Sequence, residues 1–293
     1  MGLHPSDTPL LVGSIGAGNM ARALMGGIAR AGMARPEDCL ACDIKPEARE
    51  AFEKATGIKA IESGAEVLRR CQVILLAVKP QTMGDALDAI RAGVEARHLF
   101  ISIAAGIKSG FIEKKLSGGA EGGVRGGVRG VRGGVRVVRV MPNTPALLGA
   151  GAAGVAPGAH ASAEDVALTI RLMNAVGIAV AVDETQMDAV TALSGSGPAY
   201  FFYFVERLIA AGIEQGLAPE VSARLAKQTI LGAARMLCER PETPEQLRAA
   251  VTSPGGTTAA AIKAFDEGGF APLISLAVEA AVARGRELGA ERR

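Results

Sequence analysis

The feature that most constrains the fold is an alternation of short apolar runs with helix-like stretches, which extends from Leu10 to about Val182. Strands that alternate with helices form a parallel sheet with helices on both of its faces. Two of the runs, VILLAV and LFISIAA, are continuously apolar, which is typical of strands buried on both sides. The pattern predicts a doubly wound α/β domain. Its expected strands are LLVGSIG, CLACD, VILLAV, LFISIAA, VRVVRVMP, AGVA and AVAV.

The second part of the chain has a different pattern. After Met187 the strand signals stop, and segments rich in Ala, Leu, Glu and Arg are separated by SGSGP, GLAPE, RPETP, SPGG and EGG. This pattern predicts an all-helical domain, so we divide the chain into residues 1–186 and residues 187–293. Residues 200–204 and 271–283 are apolar over more than one narrow stripe, and a small domain cannot bury such helices alone. We therefore expect part of this surface to contact another subunit.

Composition argues against several classes of partner. Over 293 residues, 32 Lys and Arg nearly balance 30 Asp and Glu, so no global field attracts nucleic acid or an anionic membrane. No apolar run approaches the roughly 18 residues that span a bilayer, and the N-terminus lacks the features of a signal peptide. Four scattered cysteines do not form a disulfide framework. We expect a cytoplasmic protein with a small-molecule partner, without nucleic-acid or membrane binding.

The cysteines and histidines predict no metal site. Cys39 and Cys42 form a C-x-x-C pair, but they fall on a predicted strand, where residues three apart face opposite sides. We expect them to pack in the core rather than to bind metal or undergo redox chemistry. His4, His98 and His160 match no motif and are expected to have no catalytic role.

More than half of the residues in segment 118–134 are glycine, and GGVR motifs recur within it. Such a composition buries too little apolar surface to offset the entropy of ordering, so we expect a flexible surface loop. Its arginines are similar to those of RGG-type nucleic-acid segments, but it contains no aromatic residue and lies between two predicted strands. We favour a repeat-expanded loop and expect deletion of residues 119–133 to be nearly neutral.

A dinucleotide-binding fingerprint, GAGNMA, follows the first predicted strand and opens a predicted helix. Gly16 permits the tight turn, Gly18 lets the backbone approach a pyrophosphate, and Ala21 lets the helix pack close to the sheet. The helix N-terminus adds free N–H groups and the positive end of a dipole, so Asn19 and Met20 are also assigned to the coenzyme site. Strand, turn and helix in this order predict a Rossmann domain that binds NADPH or NADH.

Asp43 ends the second predicted strand, where an acidic side chain accepts hydrogen bonds from the adenosine ribose. Taken alone, this residue favours NADH. Lys45, two residues further on, could instead meet a 2′-phosphate, and capping of the next helix is a third role open to Asp43. The sequence leaves the choice of coenzyme open.

The carboxyl ends of the next strands supply the rest of the coenzyme site, because ligands of open α/β sheets bind at those ends. The MPNTPA turn, with prolines on both sides of its Asn-Thr pair, is stiff enough to hold an amide side chain at a fixed angle, although an ordinary turn explains it equally well. Lys79 also has a simpler interpretation as a solvated loop residue. The residues assigned here are Val78, Lys79, Pro80, Ala104, Ala105, Gly106 and Asn143.

Two blocks in the helical part, SGSGPAY (194–200) and VTSPGGTT (251–258), each end one helix and begin another. Together with SIGAGNMA, AVKPQ, SIAAGI and MPNTPA, in unbroken order from about Leu11 to Leu288, they resemble pyrroline-5-carboxylate reductases. The resemblance implies a Rossmann domain followed by a helical dimerisation domain, with interlocked dimers that often assemble into a decamer. It implies hydride transfer from NADPH or NADH to the C=N carbon of 1-pyrroline-5-carboxylate, which gives L-proline. The repeat-rich segment 118–134 departs from the family pattern but removes no motif residue.

The SPGGTT turn is the expected substrate site. Its hydroxyls and unobstructed N–H groups at a helix start suit a carboxylate, although a plain N-cap formed by Ser253 or Thr257 is the alternative. The resemblance implies that Thr258 contacts the ring nitrogen, where it either orients the imine or passes it a proton. The substrate residues assigned here are Ser253, Gly255, Gly256, Thr257 and Thr258, and Thr258 is also the catalytic candidate.

Two other functions stay open at this stage. One is a related reductase of another cyclic imine or of a ketone, because few pocket contacts decide the substrate. The other is a non-catalytic nucleotide-sensing protein, against which the complete SPGGTT turn argues. Oxidation of NADPH and NADH with pyrroline-5-carboxylate distinguishes the three.

Overall fold

A computed structural model describes residues 10–118 and 134–290. The predictions for the repeat-expanded loop and for deletion of residues 119–133 therefore concern residues outside the described part. The strands are β1 (Val12–Ile15), β2 (Cys39–Cys42), β3 (Ala60–Ile61), β4 (Val73–Leu76), β5 (Leu99–Ser102), β6 (Arg136–Met141), β7 (Gly151–Pro157) and β8 (Gly177–Ala181). The helices are α1 (Asn19–Arg30), α2 (Pro46–Thr56), α3 (Gly64–Arg70), α4 (Met83–Ile90), α5 (Ser109–Ser117), α6 (Ala163–Asn174), α7 (Met187–Val190), α8 (Gly197–Glu214), α9 (Pro219–Glu239), α10 (Pro244–Ala250), α11 (Thr257–Glu267) and α12 (Phe270–Ala290).

The eight strands form one sheet in the order β3-β2-β1-β4-β5-β6-β7-β8. The order reverses between β1 and β4, as in Rossmann folds, and this reversal creates a crevice at the carboxyl ends of the two strands. Every predicted strand is present. Strand β3 was not predicted, because a strand of two residues leaves no periodic pattern to detect.

Strands β1, β2, β4 and β5 are buried on both faces, as predicted for β4 and β5, whereas β8 at the end of the sheet exposes Ile178 and Val180. Alternate strand residues belong to two apolar clusters, one packed with α1 and α6 and the other with α3, α4 and α5. Val12 and Cys39 lie in the first cluster, whereas Ile15 and Cys42 lie in the second. This alternation is the expected consequence of the two-residue period of a strand.

The sheet is parallel, as expected, except at one position. Strand β7 runs antiparallel to β6, with Met141 paired to Gly154. The nine residues between Met141 and Gly151 contain only a short 3-10 turn at Thr144–Leu148. A parallel crossover needs about a dozen residues or more, so this link permits only a local reversal of direction.

The two cysteines of the C-x-x-C pair are buried and unpaired. Burial raises the pKa of the Cys39 thiol to about 12 and that of the Cys42 thiol to about 11. Both thiols are therefore protonated near neutral pH and pack as small apolar groups. Within the described ranges, no group of three or more His, Cys, Asp or Glu side chains could hold a metal ion.

The chain divides into two compact units. One contains the described residues through Gly195 together with those from Ala281, and the other runs from Ser196 to Ala280. The sequence-based boundary, between residues 186 and 187, lies nine residues before the first of these divisions. In the part of the chain that is described, no helix is long and apolar enough to cross a membrane.

The second unit is helical and exposes much apolar surface. In it, α8 packs on α9, where the hydroxyl of Ser222 donates to the carbonyl oxygen of Ile209 at 2.8 Å. Phe201, Phe202 and Tyr203 are 61%, 68% and 62% exposed. An apolar row of this extent is typical of an interaction surface.

Candidate active site

The glycine-rich loop lies at the reversal point of the sheet. Gly16 has a φ of +101°, which only glycine adopts without strain. A Cβ on Gly16 would lie 2.8 Å from the backbone carbon and oxygen of Ala77 and 2.9 Å from the backbone nitrogen of Val78. The loops after β1 and β4 therefore touch backbone to backbone, and only glycine fits between them.

Gly18 is the N-cap of α1 and has no side-chain capping bond. A Cβ built on Gly18 would meet no atom within 4 Å, so open space lies directly before the helix N-terminus. The first helical residue, Asn19, is exposed and accepts a hydrogen bond from Arg22, and Ala21 is buried against the sheet. Free helix amides beside open space fit the pyrophosphate of a dinucleotide. Met20, also assigned to this site, is half-buried.

Asp43 holds the glycine loop in place. One carboxylate oxygen accepts the N–H of Ala17 at 3.0 Å, and the other accepts the N–H of Lys45 at 3.0 Å. The Arg49 guanidinium donates to the Asp43 carbonyl oxygen at 2.7 Å. Each carboxylate oxygen has room for a second donor, so the role of Asp43 toward a ribose stays a prediction. The N-cap of α2 is Lys45, without a side-chain capping bond.

The loops after β4 and β5 follow neighbouring parallel strands, so both lie at the same edge of the sheet. Val78 and Pro80 are half-buried, and Lys79 is exposed. In the other loop Ala104 is buried, and Gly106 has a φ of +74°. These loops and the glycine-rich loop belong to the same edge, as the sequence predicts for a coenzyme site. The half-buried Ala105 completes the second loop.

Asn143 is buried and uses both ends of its amide within the protein. Its Oδ1 accepts the N–H of Ala152 at 2.9 Å, and its Nδ2 donates to the carbonyl oxygen of Ser194 at 3.0 Å. Ser194 belongs to a π-helix at Thr191–Gly195, and such segments occur frequently at functional sites. Asn143 thus joins the MPNTPA turn to this segment, and its role toward the coenzyme stays a prediction.

The SPGGTT turn begins α11 in the second compact unit. Its N-cap is Gly256, which has no side-chain capping bond, so neither Ser253 nor Thr257 caps the helix. Gly255 has a φ of +72°, and the Gly256 N–H donates to the Ser253 carbonyl oxygen at 3.0 Å. The first amides of α11 are thus left for a ligand or for water. Thr258 is half-buried in the first turn of the helix.

Three residues that the sequence reasoning missed form a network beside the loop after β5. Glu184 accepts hydrogen bonds from Ser109 and from Arg139. A signal was present in the strand VRVVRVMP, because an arginine within a buried strand needs an anionic partner. The partner itself could not be identified from the pattern.

The strand order and the open glycine loop at the reversal point are those of dinucleotide-binding oxidoreductases. The family described as NADP oxidoreductase, coenzyme F420-dependent, matches residues 11–106. The pyrroline-5-carboxylate reductase dimerisation family matches residues 184–288. These findings define the class as NAD(P)H-dependent oxidoreductases.

Similar proteins give the family. The pyrroline-5-carboxylate reductase of Pseudomonas aeruginosa is 42% identical over 275 residues, which cover 94% of this chain and 95% of that protein. The solved structure of a pyrroline-5-carboxylate reductase from Coxiella burnetii matches with a TM-score of 0.85 at 34% identity, covering 96% of this chain and 99% of the other. The solved structure of Plasmodium falciparum pyrroline carboxylate reductase with NADP bound matches with a TM-score of 0.78 at 32% identity, covering 96% of this chain and 98% of the other. The chain belongs to the pyrroline-5-carboxylate reductase family.

Three predictions from the sequence are confirmed by these findings. The fold is a Rossmann-type doubly wound sheet followed by an all-α domain of the dimerisation family. The family resemblance is real over nearly the whole chain. The chain is an NAD(P)H-dependent oxidoreductase of a family that acts on a C=N bond.

Proposed function

We propose that this chain reduces 1-pyrroline-5-carboxylate to L-proline, with NADPH or NADH as the hydride donor. The observation that carries the proposal is the start of α11, where glycines and hydroxyls surround helix amides that no side chain caps. An anion such as a carboxylate is the kind of ligand that such a helix start attracts. The family of the chain supplies the imine as the matching substrate.

The coenzyme would be held by the sheet edge of the first unit. The open space before Gly18 fits a pyrophosphate, and the amides at the start of α1 would donate to its oxygens. Gly16 keeps the loop close to the backbone of Val78. The loops at 78–80 and 104–106 would border the nicotinamide half. When bound, the coenzyme supplies the hydride, and the protein supplies binding and orientation.

The substrate would be held by the SPGGTT turn. The N–H groups of Thr257 and Thr258, together with the hydroxyl of Ser253, would donate to the carboxylate. A Cβ on Gly255 would meet no atom within 4 Å, so the approach there is open, and Gly256 leaves room for the Ser253 hydroxyl, which would lie 2.6 Å from a Cβ at that position. The hydroxyl of Thr258 would donate to the ring nitrogen and orient the C=N bond. A threonine hydroxyl is too weak an acid to drive protonation, so water supplies the proton of the iminium, and Thr258 acts by positioning.

We also propose that two copies associate through the helical unit. The exposed aromatic residues of α8, Phe201, Phe202 and Tyr203, support this assignment, as does the match to the dimerisation family. Sedimentation velocity of the full chain should give a mass of two copies or a multiple of two. A monomer at micromolar concentration contradicts this proposal.

The buried, protonated thiols are compatible with the reducing cytoplasm as the site of the reaction.

The proposal is tested by steady-state oxidation of NADPH and of NADH with 1-pyrroline-5-carboxylate. A six-membered imine carboxylate is assayed in the same way, and a 3-hydroxyacid is assayed in the opposite direction, by reduction of NADP+ or NAD+. We expect turnover with the five-membered imine. Coenzyme binding without turnover of any substrate would overturn the proposal. Faster turnover of another substrate would show that 1-pyrroline-5-carboxylate is not the preferred substrate.

Thr258→Ala tests the role of the threonine. We expect kcat/KM for the imine to fall about 10- to 100-fold, because orientation of the reacting bond is lost. Affinity for the coenzyme should stay the same. The matched control is Thr229→Ala, which removes an exposed threonine of α9. Kinetics of Thr258→Ala that equal those of the control remove Thr258 from the site.

A further inference from the structure

The network around Glu184 joins three separate segments. The N–H of Ser109 donates to Oε1 of Glu184 at 2.8 Å, and the hydroxyl of Ser109 donates to Oε2 at 2.6 Å. Nη1 of Arg139 donates to Oε1 at 3.0 Å. Both carboxylate oxygens of Glu184 are thus engaged by donors from α5 and β6.

The donors of the network are buried, and the accepting Glu184 side chain is 31% exposed. Ser109 is 3% exposed and Arg139 is 7% exposed, so neither finds a full substitute in water. Burial raises the pKa of Glu184, but the hydrogen bonds from Ser109 and the charge of Arg139 outweigh it, so the pKa lies below the ordinary value. The carboxylate is ionised near neutral pH, and its bonds are charge-assisted.

The network acts on the start of α5. Lys108, the N-cap of this helix, makes no side-chain capping bond. Glu184 does the work of a cap from 75 residues away, because it accepts the first helical N–H and places a negative charge at the positive end of the helix dipole. The start of α5 is therefore held by another segment of the protein rather than by its own sequence.

The segment that ends at this helix start is the loop after β5. Residues 103–108 link Ser102 to α5, and loop 104–107 within this link contains Gly106, whose φ is +74°. Inside the loop, the bond from the Ile107 N–H to the Ala104 carbonyl oxygen is long, at 3.4 Å. Ala104 and Ile107 pack in the second apolar cluster, β5 holds one end of the loop, and the Ser109–Glu184 pair holds the other end.

We propose that Glu184 is a positioning residue that holds loop 104–107 in the conformation that borders the nicotinamide. The inference rests on the proposed function, which assigns this loop to the coenzyme. Glu184 touches neither substrate nor coenzyme in this proposal and acts through Ser109. Arg139 orients the carboxylate and neutralises its charge.

Glu184→Ala removes the anchor, and Glu184→Gln restores most of it. The amide oxygen of Gln can accept from both Ser109 N–H and Arg139, and its NH2 can donate to the Ser109 hydroxyl, which rotates to accept. The full-length protein is used, and Glu37→Ala is the matched control, since Glu37 is an exposed carboxylate in the 3-10 turn before β2.

Four readouts separate a positioning role from a merely structural one. For Glu184→Ala we expect the dissociation constant of NADPH, measured by calorimetry, to rise about 10- to 100-fold, and kcat to fall with it. The KM for the imine at saturating coenzyme should change less than about twofold, because the substitution leaves the contacts between the SPGGTT turn and the substrate in place. Amide hydrogen exchange in residues 104–112 should accelerate about tenfold or more in the free protein. Glu184→Gln should recover most of all three effects.

Several outcomes overturn the inference. Coenzyme affinity and loop exchange that equal those of the Glu37→Ala control refute it, and so does an equal rise in the NADPH dissociation constant and in the KM for the imine. Glu184→Ala leaves Arg139 buried without its anion, so it can fail to fold. Ser109→Ala then decides, because it removes only the hydroxyl bond. Its loop exchange and NADPH dissociation constant should still rise about fivefold, and unchanged values refute the inference. Binding and exchange need no turnover, so a wild-type protein without imine reduction contradicts the proposed function separately.

Discussion

Gly18→Ala separates the folding role of the glycine loop from its binding role. In the folded protein a methyl group on Gly18 would meet no atom within 4 Å, and the φ of −71° suits any residue. Alanine lowers the entropy of the unfolded chain by about 0.4–1 kcal/mol but is a poorer N-cap than glycine, so the two effects oppose each other. We expect the free energy of unfolding to change by less than about 1 kcal/mol.

The same methyl group would occupy the space that we assign to the pyrophosphate. Hydrogen bonds to a charged group contribute about 1.5–3 kcal/mol each, so the loss of one such bond weakens coenzyme binding about 10- to 150-fold. Gly16→Ala is the contrasting variant. There, a positive φ costs alanine about 1–2 kcal/mol, and its Cβ also overlaps the backbone of Ala77. We expect Gly16→Ala to lose both stability and coenzyme binding.

Urea unfolding followed by far-ultraviolet circular dichroism measures the stability of both variants, and isothermal titration calorimetry measures their affinity for NADPH. The reasoning requires Gly18→Ala to be stable and to bind poorly. A Gly18→Ala variant that binds NADPH within twofold of the wild type refutes the assignment of this space. One that unfolds as readily as Gly16→Ala refutes the claim that the space is open.

Two further predictions concern buried polar side chains. Asn143→Ala should lower the free energy of unfolding by about 2 kcal/mol or more, because the Ala152 N–H and the Ser194 carbonyl oxygen lose their partners, and unchanged urea unfolding contradicts this. Burial lowers the pKa of His98, whose Nε2 lies 2.9 Å from the Leu68 carbonyl oxygen, so the folded state favours the neutral ring. The stability that this preference gives is complete above the unfolded pKa of about 6.5 and is lost as the pH falls toward the lowered folded pKa. As the pH is lowered from about 8 to 5.5, the free energy of unfolding should fall less steeply for His98→Gln than for the wild type. Equal slopes contradict this.

The sequence was sufficient for features that depend on residues close together in the chain. The order of strand, GAGNMA and helix predicts the coenzyme loop, because Gly16 needs a positive φ and Gly18 needs open space at a helix start. The split into an α/β part and a helical part follows from a change of period and of turn residues. The particular imine came from the family resemblance rather than from any of these patterns.

The tertiary structure decided which distant groups meet. Ser109 and Glu184 are 75 residues apart, and Asn143 and Ser194 are 51 apart. No local pattern carries such pairings, because they depend on the order of strands in the sheet and on the direction in which each chain segment leaves it. For the same reason the strand β7 was predicted but its antiparallel direction was not, since the apolar residues of a strand alternate in either direction. Composition and local spacing by themselves determined a dinucleotide-binding domain with a helical second part, and only the folded chain showed which distant groups contact its loops.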